Sequence, residues 1–333
     1  MFLATLASAC AGAGRVSHAR LLDLLVGNDC AASGLEAAPL LVGIWRPGDT
    51  SWSTRAGGST PAPAPGDAVQ LGALTAAFLA EVVVDSLARS PAGLATVALT
   101  GPAGAPATEV TFADLLLHRS GIPAYDPGPP YPPDDVVVER LVGGLDGTGE
   151  TYRFDLYNYG LAYRALAGGL AGGTLPRPHR LAYSDRADAA VVGSLAPTAT
   201  PLTQGDGDEE PARRSELLAV ASGGIGTAYD LLALAIRLDA ADRPSWPAQD
   251  VERAPRTTQA VPGWHRIQVR RGHWAYLAAG QTRRYGAAVA YFPGRRTAVV
   301  AVAGAGRRLD CLAFAALRNA TDDWRAVPGG EVR

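Results

Sequence analysis

The sequence predicts an α+β protein, in which an antiparallel sheet is flanked by helices and an inserted, mostly helical region interrupts the sheet. Two observations lead to this prediction. Segments typical of strands occur near both ends of the 333-residue chain, and segments with helical spacing of apolar residues lie between them. Strands from both ends share one sheet only if the helical middle leaves it and returns. We therefore predict a sheet domain over residues 1–60 and 262–333 and a helical domain over residues 61–261.

The N-terminal elements are a helix and a hairpin. Residues 16–26 have leucines on one helical face, which predicts an amphipathic helix. Residues 38–45 are apolar enough for a buried strand, and residues 50–56 are its hairpin partner, because the Pro-Gly-Asp between them favours a turn. A Pro- and Gly-rich stretch over residues 57–66 then leads away from the sheet.

Three helices are predicted in the middle of the chain. Apolar residues recur at helical spacing over residues 73–89. Thr111 and Asp114 have the spacing of a capping box, which predicts the start of a short helix. Thr227 and Asp230 have the same spacing and predict a second capped helix that runs to about residue 239.

The remaining segments are two loops and the elements that complete the sheet. Five prolines make residues 125–135 an irregular, stiff loop, and the charged residues 204–216 are expected to be exposed. The C-terminal part returns to strands and ends with a helix over residues 308–319. The four predicted strands cover residues 264–269, 274–279, 286–292 and 297–303.

Composition excludes several classes of partner. The chain is 47% apolar and 19% charged, which is typical of a globular protein, and its net charge of −2 gives no electrostatic reason to bind nucleic acid or an anionic membrane. We find no apolar run of eighteen residues, so we predict no membrane span and a cytoplasmic protein. The small residues before Cys10 resemble a lipoprotein cleavage site, but no positive segment precedes them, which makes export the less favoured alternative.

Cysteine and histidine patterns indicate neither a disulfide framework nor a metal site. The three cysteines, at positions 10, 30 and 311, are far apart and form no CxxC pair. The five histidines do not fall at HExxH or HxH spacing. No nucleotide-binding glycine pattern is complete either, so we predict no metal and no cofactor.

All 30 basic residues are arginine, so the chain contains no lysine. An arginine guanidinium stays protonated in proteins, so it cannot replace a lysine amine as a base. Any reaction that needs a lysine as base or nucleophile is therefore excluded.

Three segments together resemble the serine β-lactamase-related superfamily, which includes class C β-lactamases, D-alanyl-D-alanine peptidases and related esterases. They are VTFADLLLHRSGIP at residues 110–123, ASGGIGTAYDL at residues 221–231 and YFPGRR at residues 291–296. Their order and spacing agree with the superfamily over roughly residues 16–310. The resemblance implies a mixed α/β domain and a helical domain, with the active site in the crevice between them.

The chemistry of the superfamily needs three motifs, and the first two are altered here. A serine that opens a helix attacks the substrate, and a lysine three residues later accepts its proton. At the matching positions this chain has Ala73 and Ala76. In the Tyr-x-Asn motif, Leu156 replaces the tyrosine while Asn158 is retained.

The third motif, Lys-Thr-Gly or His-x-Gly on a strand, is also altered. Counting back along the C-terminal hairpin places residues 277–280, Leu-Ala-Ala-Gly, on this motif, so that Ala278 replaces the charged residue and Gly280 is retained. A second register places Gly272 and His273 there instead and needs a longer loop. Because alanine has no lone pair, an acyl-enzyme cannot form at position 73 in either register.

The replacements would make the floor of the crevice apolar and wider, which is typical of a small-molecule site with few polar anchors. The expected ligand contacts are Asn158, Tyr157, Tyr125, Gly280, Gln281 and Tyr285. The leading hypothesis is a protein that retains the pocket without a covalent serine. It would be either a non-hydrolytic enzyme of a specialised metabolite, such as a cyclase or isomerase, or a pseudoenzyme that binds a ligand or a protein partner.

The alternative is an esterase or amidase with a relocated nucleophile. Ser120 with His118 is one such pair, and His273 activating a water molecule is another. The structural interpretation of the first pair, which we favour, is that His118 holds a helix end and Ser120 opens the following turn.

Overall fold

The computed structural model describes residues 35, 37–88, 92–101, 109–125, 132–145, 149, 151–166, 216–240, 246–251, 258–270, 272–304 and 309–321. The predicted helix over residues 16–26, and the charged segment 204–216 apart from its last residue, lie outside this part of the chain. Among the described residues, no helix combines the length and the apolar character needed to cross a membrane.

An eight-stranded antiparallel sheet has the strand order β2-β1-β12-β11-β10-β9-β8-β7. Two smaller pairs, β3 with β6 and β4 with β5, are also antiparallel. The strands are β1 Leu40–Arg46, β2 Asp49–Arg55, β3 Val69–Gln70, β4 Val97–Thr100, β5 Glu109–Thr111, β6 Ile225–Gly226, β7 Gln249–Asp250, β8 Thr258–Val261, β9 Trp264–Arg270, β10 His273–Gln281, β11 Gly286–Phe292 and β12 Thr297–Ala303.

The predicted fold class is confirmed, because strands from both ends of the chain share the sheet. β1 pairs with β12, with Leu40 opposite Ala303. The predicted N-terminal hairpin also forms: β1 pairs with β2, and Gly48 takes the positive φ of 81° that the turn requires.

The two central strands, β11 and β12, are buried along their whole length. Side chains alternate between the faces of a strand, so Val289 and Tyr291 enter one core cluster, while Ala288 and Phe292 enter another. Both faces are covered by helices, which explains why these strands are continuous apolar runs rather than alternating ones.

Seven α-helices are defined among the described residues, and two of them cover the sheet. α6 and α7 both pack against β11 and β12, and their residues belong to the core clusters on opposite faces of the sheet. The helices are α1 Thr75–Leu87, α2 Phe112–Leu116, α3 Asp134–Gly143, α4 Tyr157–Leu166, α5 Glu216–Ser222, α6 Ala228–Ala240 and α7 Asp310–Thr321.

Both predicted capping boxes are present. The Thr111 hydroxyl accepts from the backbone N–H of Asp114, and the Asp114 carboxylate accepts from the N–H of Thr111. Thr227 and Asp230 make the same reciprocal bonds at the start of α6. These local bonds satisfy donors that a helix start would otherwise leave unpaired.

A separate apolar cluster holds the helical region together. α1, α2, α3, α4 and α5 contribute to it. α1 belongs to two clusters: Phe78 packs on the sheet side, whereas Leu79 and Val83 pack on the helical side. α1 therefore lies between the sheet and the helical region.

Several elements were not predicted from the sequence. α4 was not predicted; it begins at the altered Tyr-x-Asn motif, where the Asp155 side chain accepts from the N–H of Tyr157 at 2.9 Å and caps the helix. α3 follows the proline-rich segment directly, and β7 and β8 extend the sheet from residues assigned to the helical domain. The domain boundaries themselves stay a prediction.

One interpretation of the cysteines needs correction. Cys311, on α7, is disulfide-bonded, although the long spacing between cysteines argued against disulfides. The other two cysteines, at positions 10 and 30, lie outside the described residues. Sequence spacing does not limit the pairing, because the fold can bring distant residues together.

Candidate ligand-binding cavity

A small cavity lies where the start of α1, the end of β10 and the β8–β9 turn meet. Five alanines form part of its wall: Ala73 in the turn before α1, Ala76 on α1, Ala260 on β8, and Ala278 and Ala279 on β10. Its volume is about 40 Å³, which is room for about three water molecules. The rest of its lining consists mainly of aromatic and imidazole rings.

The start of α1 is held in place by close backbone contacts. Ala73 lies in a 3-10 turn, Gly72–Leu74, that leads directly into the helix. Gly72 has φ +54°, and a Cβ atom on it would lie 2.6 Å from the backbone oxygen of Gln281. Only glycine allows both this conformation and this approach.

β10 forms one wall of the cavity, and its position bears on the two registers of the third motif. β9 pairs with residues 273–277 of β10, so Ala278 and Ala279 lie beyond this pairing and border the cavity. A Cβ atom on Gly280 would lie 1.9 Å from the carbonyl oxygen of Leu71, so this end of the strand abuts the turn before α1. His273 is five residues back along the strand, about 16 Å away. The structure therefore favours the register with Ala278.

His118 lines the cavity from the helical side. It ends α2 with a left-handed φ of 57°, as the structural interpretation predicted. Its Nδ1 accepts from the backbone N–H of Asp155 at 3.2 Å, and its carbonyl oxygen accepts from the N–H of Arg153 at 2.8 Å. Burial, together with the nearby His265, lowers the pKa of His118 to about 3 despite the hydrogen bond from Asp155. The imidazole is therefore neutral at physiological pH.

Three aromatic rings surround His118. Ring centroids lie 4.6 Å away for Phe154, 5.0 Å for Tyr159 and 5.6 Å for Tyr152. The Tyr159 hydroxyl donates to the carbonyl oxygen of Leu116 at 3.3 Å and accepts from the N–H of Gly263 at 3.1 Å. It thereby connects the end of α2 to the β8–β9 turn on the other side of the cavity.

A second histidine, His265, lines the cavity and pairs with a phenol. The Tyr152 hydroxyl lies 3.0 Å from Nε2 of His265. Burial lowers the pKa of His265, with a smaller opposing effect of Asp310, and burial raises the pKa of Tyr152 to about 12. Both groups are therefore uncharged near neutral pH.

The described cavity wall carries no formal charge. Its members are alanines, glycine, valine, aromatic residues and the two neutral histidines. Within the described ranges, no three histidine, cysteine or acidic side chains are close enough to hold a metal ion. A largely apolar wall with a few polar atoms is typical of sites for small uncharged molecules.

Asn158 and Ser120 lie behind this wall rather than in it. Asn158 is 1% exposed; its Oδ1 accepts from the Ser120 hydroxyl, and its Nδ2 donates to the carbonyl oxygen of Asp155 at 3.3 Å. Ser120 is also 1% exposed and accepts from the N–H of Ile122 at 3.4 Å. These bonds join the segment after α2 to the start of α4.

The other predicted ligand contacts are dispersed. Tyr125, Tyr157 and the replaced position Leu156 pack in the helical cluster, with the two tyrosine rings 6.3 Å apart. Gln281 is exposed, and Tyr285 packs against the sheet cluster. None of these residues lines the described cavity, so their contact with a ligand stays a prediction.

The sequence analysis missed Phe154, Tyr159, Trp264 and His265, which line the cavity, and Tyr152, which lies within hydrogen-bonding distance of His265. Tyr152 and Phe154 come just before the altered Tyr-x-Asn motif, and that proximity was the one available signal. Trp264 and His265 follow the β8–β9 turn, and no local pattern links them to residues more than a hundred positions earlier.

Comparison with solved structures identifies the fold. The chain is similar to the β-lactamase/D-alanine carboxypeptidase from Yersinia pestis complexed with citrate, with a TM-score of 0.61, 14% identity, and 92% of this chain and 98% of that chain covered. A class C β-lactamase from Rhodobacter sphaeroides has a TM-score of 0.60 and 16% identity, with 92% of this chain and 99% of that chain covered. The octameric penicillin-binding protein homologue from Pyrococcus abyssi has a TM-score of 0.63 and 13% identity, with 91% of this chain and 77% of that chain covered.

No protein-family model matches the sequence, and the comparison with curated proteins finds no match. At identities of 13–16%, the structural similarity is evidence of the fold alone. The predicted β-lactamase/penicillin-binding-protein type of fold is confirmed.

Proposed function

We propose that this chain, which has the fold of class C β-lactamases and penicillin-binding proteins, acts non-covalently on a small, uncharged and largely apolar molecule at the cavity. The observation that carries the proposal is that Ala73 and Ala76 both line it. The sequence resemblance places a serine nucleophile and its lysine base at these two positions. Methyl groups have no lone pair, so neither can attack a carbonyl carbon or accept a proton.

The electrostatics of the wall support this choice of ligand. A carboxylate in the cavity would lose its hydration and meet no positive charge from the described lining residues. An uncharged molecule avoids this cost and gains from contact with the alanines and aromatic rings. With a volume of about 40 Å³, the cavity as it stands holds only a small group of such a ligand.

The pair formed by Tyr152 and His265 favours a non-hydrolytic enzyme over a passive binder. Their 3.0 Å contact connects a phenol to an imidazole on the cavity wall. The contact orients the imidazole of His265, which borders the cavity and can exchange a proton with a bound molecule, as an isomerase or a cyclase requires. Neither residue belongs to the positions altered in the three motifs.

A relocated serine nucleophile has less support. Ser120 is buried, bonded to Asn158 and outside the described cavity wall. His273 lies at the far end of β10, with its ring 6.5 Å from that of Phe292. A hydrolase that used either residue would have to work at a place other than this cavity.

Labelling with a fluorophosphonate probe tests the absence of a covalent serine. We expect no mass increase of the intact protein under conditions that fully label a class C β-lactamase. An adduct on any serine would contradict the proposal, and Ser120→Ala would show whether that residue is the one modified.

Ligand binding is tested with a variant that fills the cavity. A thermal-shift screen against uncharged metabolites should give hits whose stabilisation is lost in Ala73→Leu, because the larger side chain occupies the cavity. Ala88→Leu, at the exposed end of the same helix, is the matched control and should retain the shift. Hits that still stabilise Ala73→Leu fully would place the ligand elsewhere.

A further inference from the structure

Two residues that line the cavity each carry an N–H group for which the described residues show no acceptor. The first belongs to Trp264, which lines the cavity and is 2% exposed. Its indole Nε1 is buried and makes no hydrogen bond to any described residue. A buried donor without a partner is costly, so an acceptor that reached it would recover free energy.

The second N–H group is on His118. Nδ1 of this imidazole accepts a hydrogen bond from the backbone N–H of Asp155, so Nδ1 is the unprotonated nitrogen. In a neutral imidazole the proton is then on Nε2, which becomes a donor. No hydrogen bond to a described residue is seen for this Nε2. His118 thus presents a fixed tautomer, set by the backbone of the segment before α4.

We infer that the cavity receives an uncharged hydrogen-bond-accepting oxygen of the ligand, such as a ketone or amide carbonyl, with Trp264 Nε1 and His118 Nε2 as its donors. This inference rests on the proposed function and specifies the ligand class. Both donors are side-chain N–H groups on residues that border the same 40 Å³ cavity, and each has one proton to give. One carbonyl oxygen has two lone pairs and can accept from both.

The choice of an uncharged oxygen follows from the rest of the wall. Two neutral donors do not compensate the desolvation of a full negative charge, and the described lining residues provide no cation. The neighbouring groups include the methyls of the five alanines and the ring of Phe154. A carbonyl with a small apolar substituent therefore matches this wall better than a carboxylate does.

Acetamide and acetate are matched probes, since they have nearly the same shape and differ in charge. The full chain, labelled with ¹⁵N in tryptophan and histidine and with ¹³C in alanine methyls, is titrated with each at neutral pH. The methyl signals of Ala73 and Ala76 report entry into the cavity, and the N–H signals of Trp264 and His118 report hydrogen bonding. We expect saturable shifts of all four signals with acetamide and none with acetate.

Two variants separate the effect of the Trp264 hydrogen bond from the effect of filling the cavity wall with an aromatic ring. Trp264→Phe retains an aromatic ring but removes the N–H, and should weaken acetamide binding roughly tenfold, the usual effect of one lost bond to a buried donor. Trp274→Phe, on β10 where Arg266 stacks over the ring, is the control and should bind as the wild type does.

The outcomes distinguish this inference from the proposed function. If the alanine methyls shift with acetamide while the Trp264 and His118 signals do not, the cavity is a binding site but the assigned donors are wrong. Equal responses to acetate and acetamide would also overturn the inference, as would the absence of any methyl shift. The fluorophosphonate experiment tests the non-covalent function independently of all three results.

Discussion

At the scale of single residues, His118 shows how one side chain acquires two roles. Its backbone ends α2, as the structural interpretation of the sequence predicted, and its left-handed φ of 57° is uncommon for a residue other than glycine. Its ring lines the cavity and is held by the N–H of Asp155. The backbone role fixes the direction of the ring, so the same position serves the fold and the site.

Acid should destabilise the protein through His118. Because its pKa falls from the ordinary 6.5 to about 3 in the folded state, the unfolded chain binds more protons between these pH values. The free energy of unfolding should therefore decrease as pH falls through this window, by roughly 5 kcal/mol in total from this group. Urea unfolding from pH 7 to pH 4 measures the slope.

The variant His118→Asn isolates this contribution. Asparagine tolerates a left-handed backbone and its Oδ1 can accept from Asp155, but it does not titrate. We expect a shallower loss of stability in acid for the variant, with the remaining slope due in part to His265, whose pKa is also lowered. An unchanged slope would show that His118 is not the buried neutral group described here.

At the scale of elements, the contact between the end of β10 and the turn before α1 shapes the cavity. Gly280 lets this strand approach Leu71 and Leu74 closely. Ala278, Ala279 and Ala73 all line the cavity beside this contact. The sequence resemblance retained this glycine while the chemical positions around it changed, which fits a role in backbone approach rather than in ligand chemistry.

Gly280→Ala tests this contact. A Cβ atom 1.9 Å from the Leu71 carbonyl oxygen forces the strand or the turn to move, which should lower the free energy of unfolding by about 2 kcal/mol. Gly66→Ala is the matched control, because a Cβ atom there meets nothing within 4 Å. Urea unfolding compares the two, and equal stabilities would mean that the strand end does not abut the turn.

At the scale of the whole molecule, α1 and α6 join the helical region to the sheet through a buried ionic contact. Arg237 on α6 lies 2.6 Å from Asp85 and 3.6 Å from Glu81, both on α1. Glu81 is fully buried. A buried carboxylate needs a compensating charge, so this contact fixes the two helices relative to each other more than it adds net stability.

Replacing Arg237 should lower the free energy of unfolding by more than the ion pair adds to it. Arg237→Met leaves Glu81 buried without the Arg237 guanidinium, and we expect a loss of about 3 kcal/mol or more in the free energy of unfolding. Adding Glu81→Gln should restore part of the loss, since the amide carries no charge. Chemical unfolding of both variants measures this, and a double variant no better than the single one would contradict the explanation.

Features that depend on contacts between nearby residues could be predicted from the sequence, and features that depend on distant contacts could not. The capping boxes at Thr111 and Thr227, the Gly48 turn and the strands β11 and β12 all depend on residues a few positions apart, so periodicity and turn chemistry predict them. α4 was missed because the segment was compared only with the Tyr-x-Asn motif, and its capping residue, Asp155, was not recognised. The Cys311 disulfide was missed because spacing does not report folded distances.

The sequence by itself determined the fold class, the absence of lysine, and the alanines at positions 73, 76 and 278. Only the tertiary structure decided that His118, Phe154, Trp264 and His265 share one cavity with those alanines, and that Asn158 lies behind its wall. The physical reason is that burial, and with it the neutral state of the two histidines, arises from packing between segments up to about 200 residues apart. No window of the sequence contains that information.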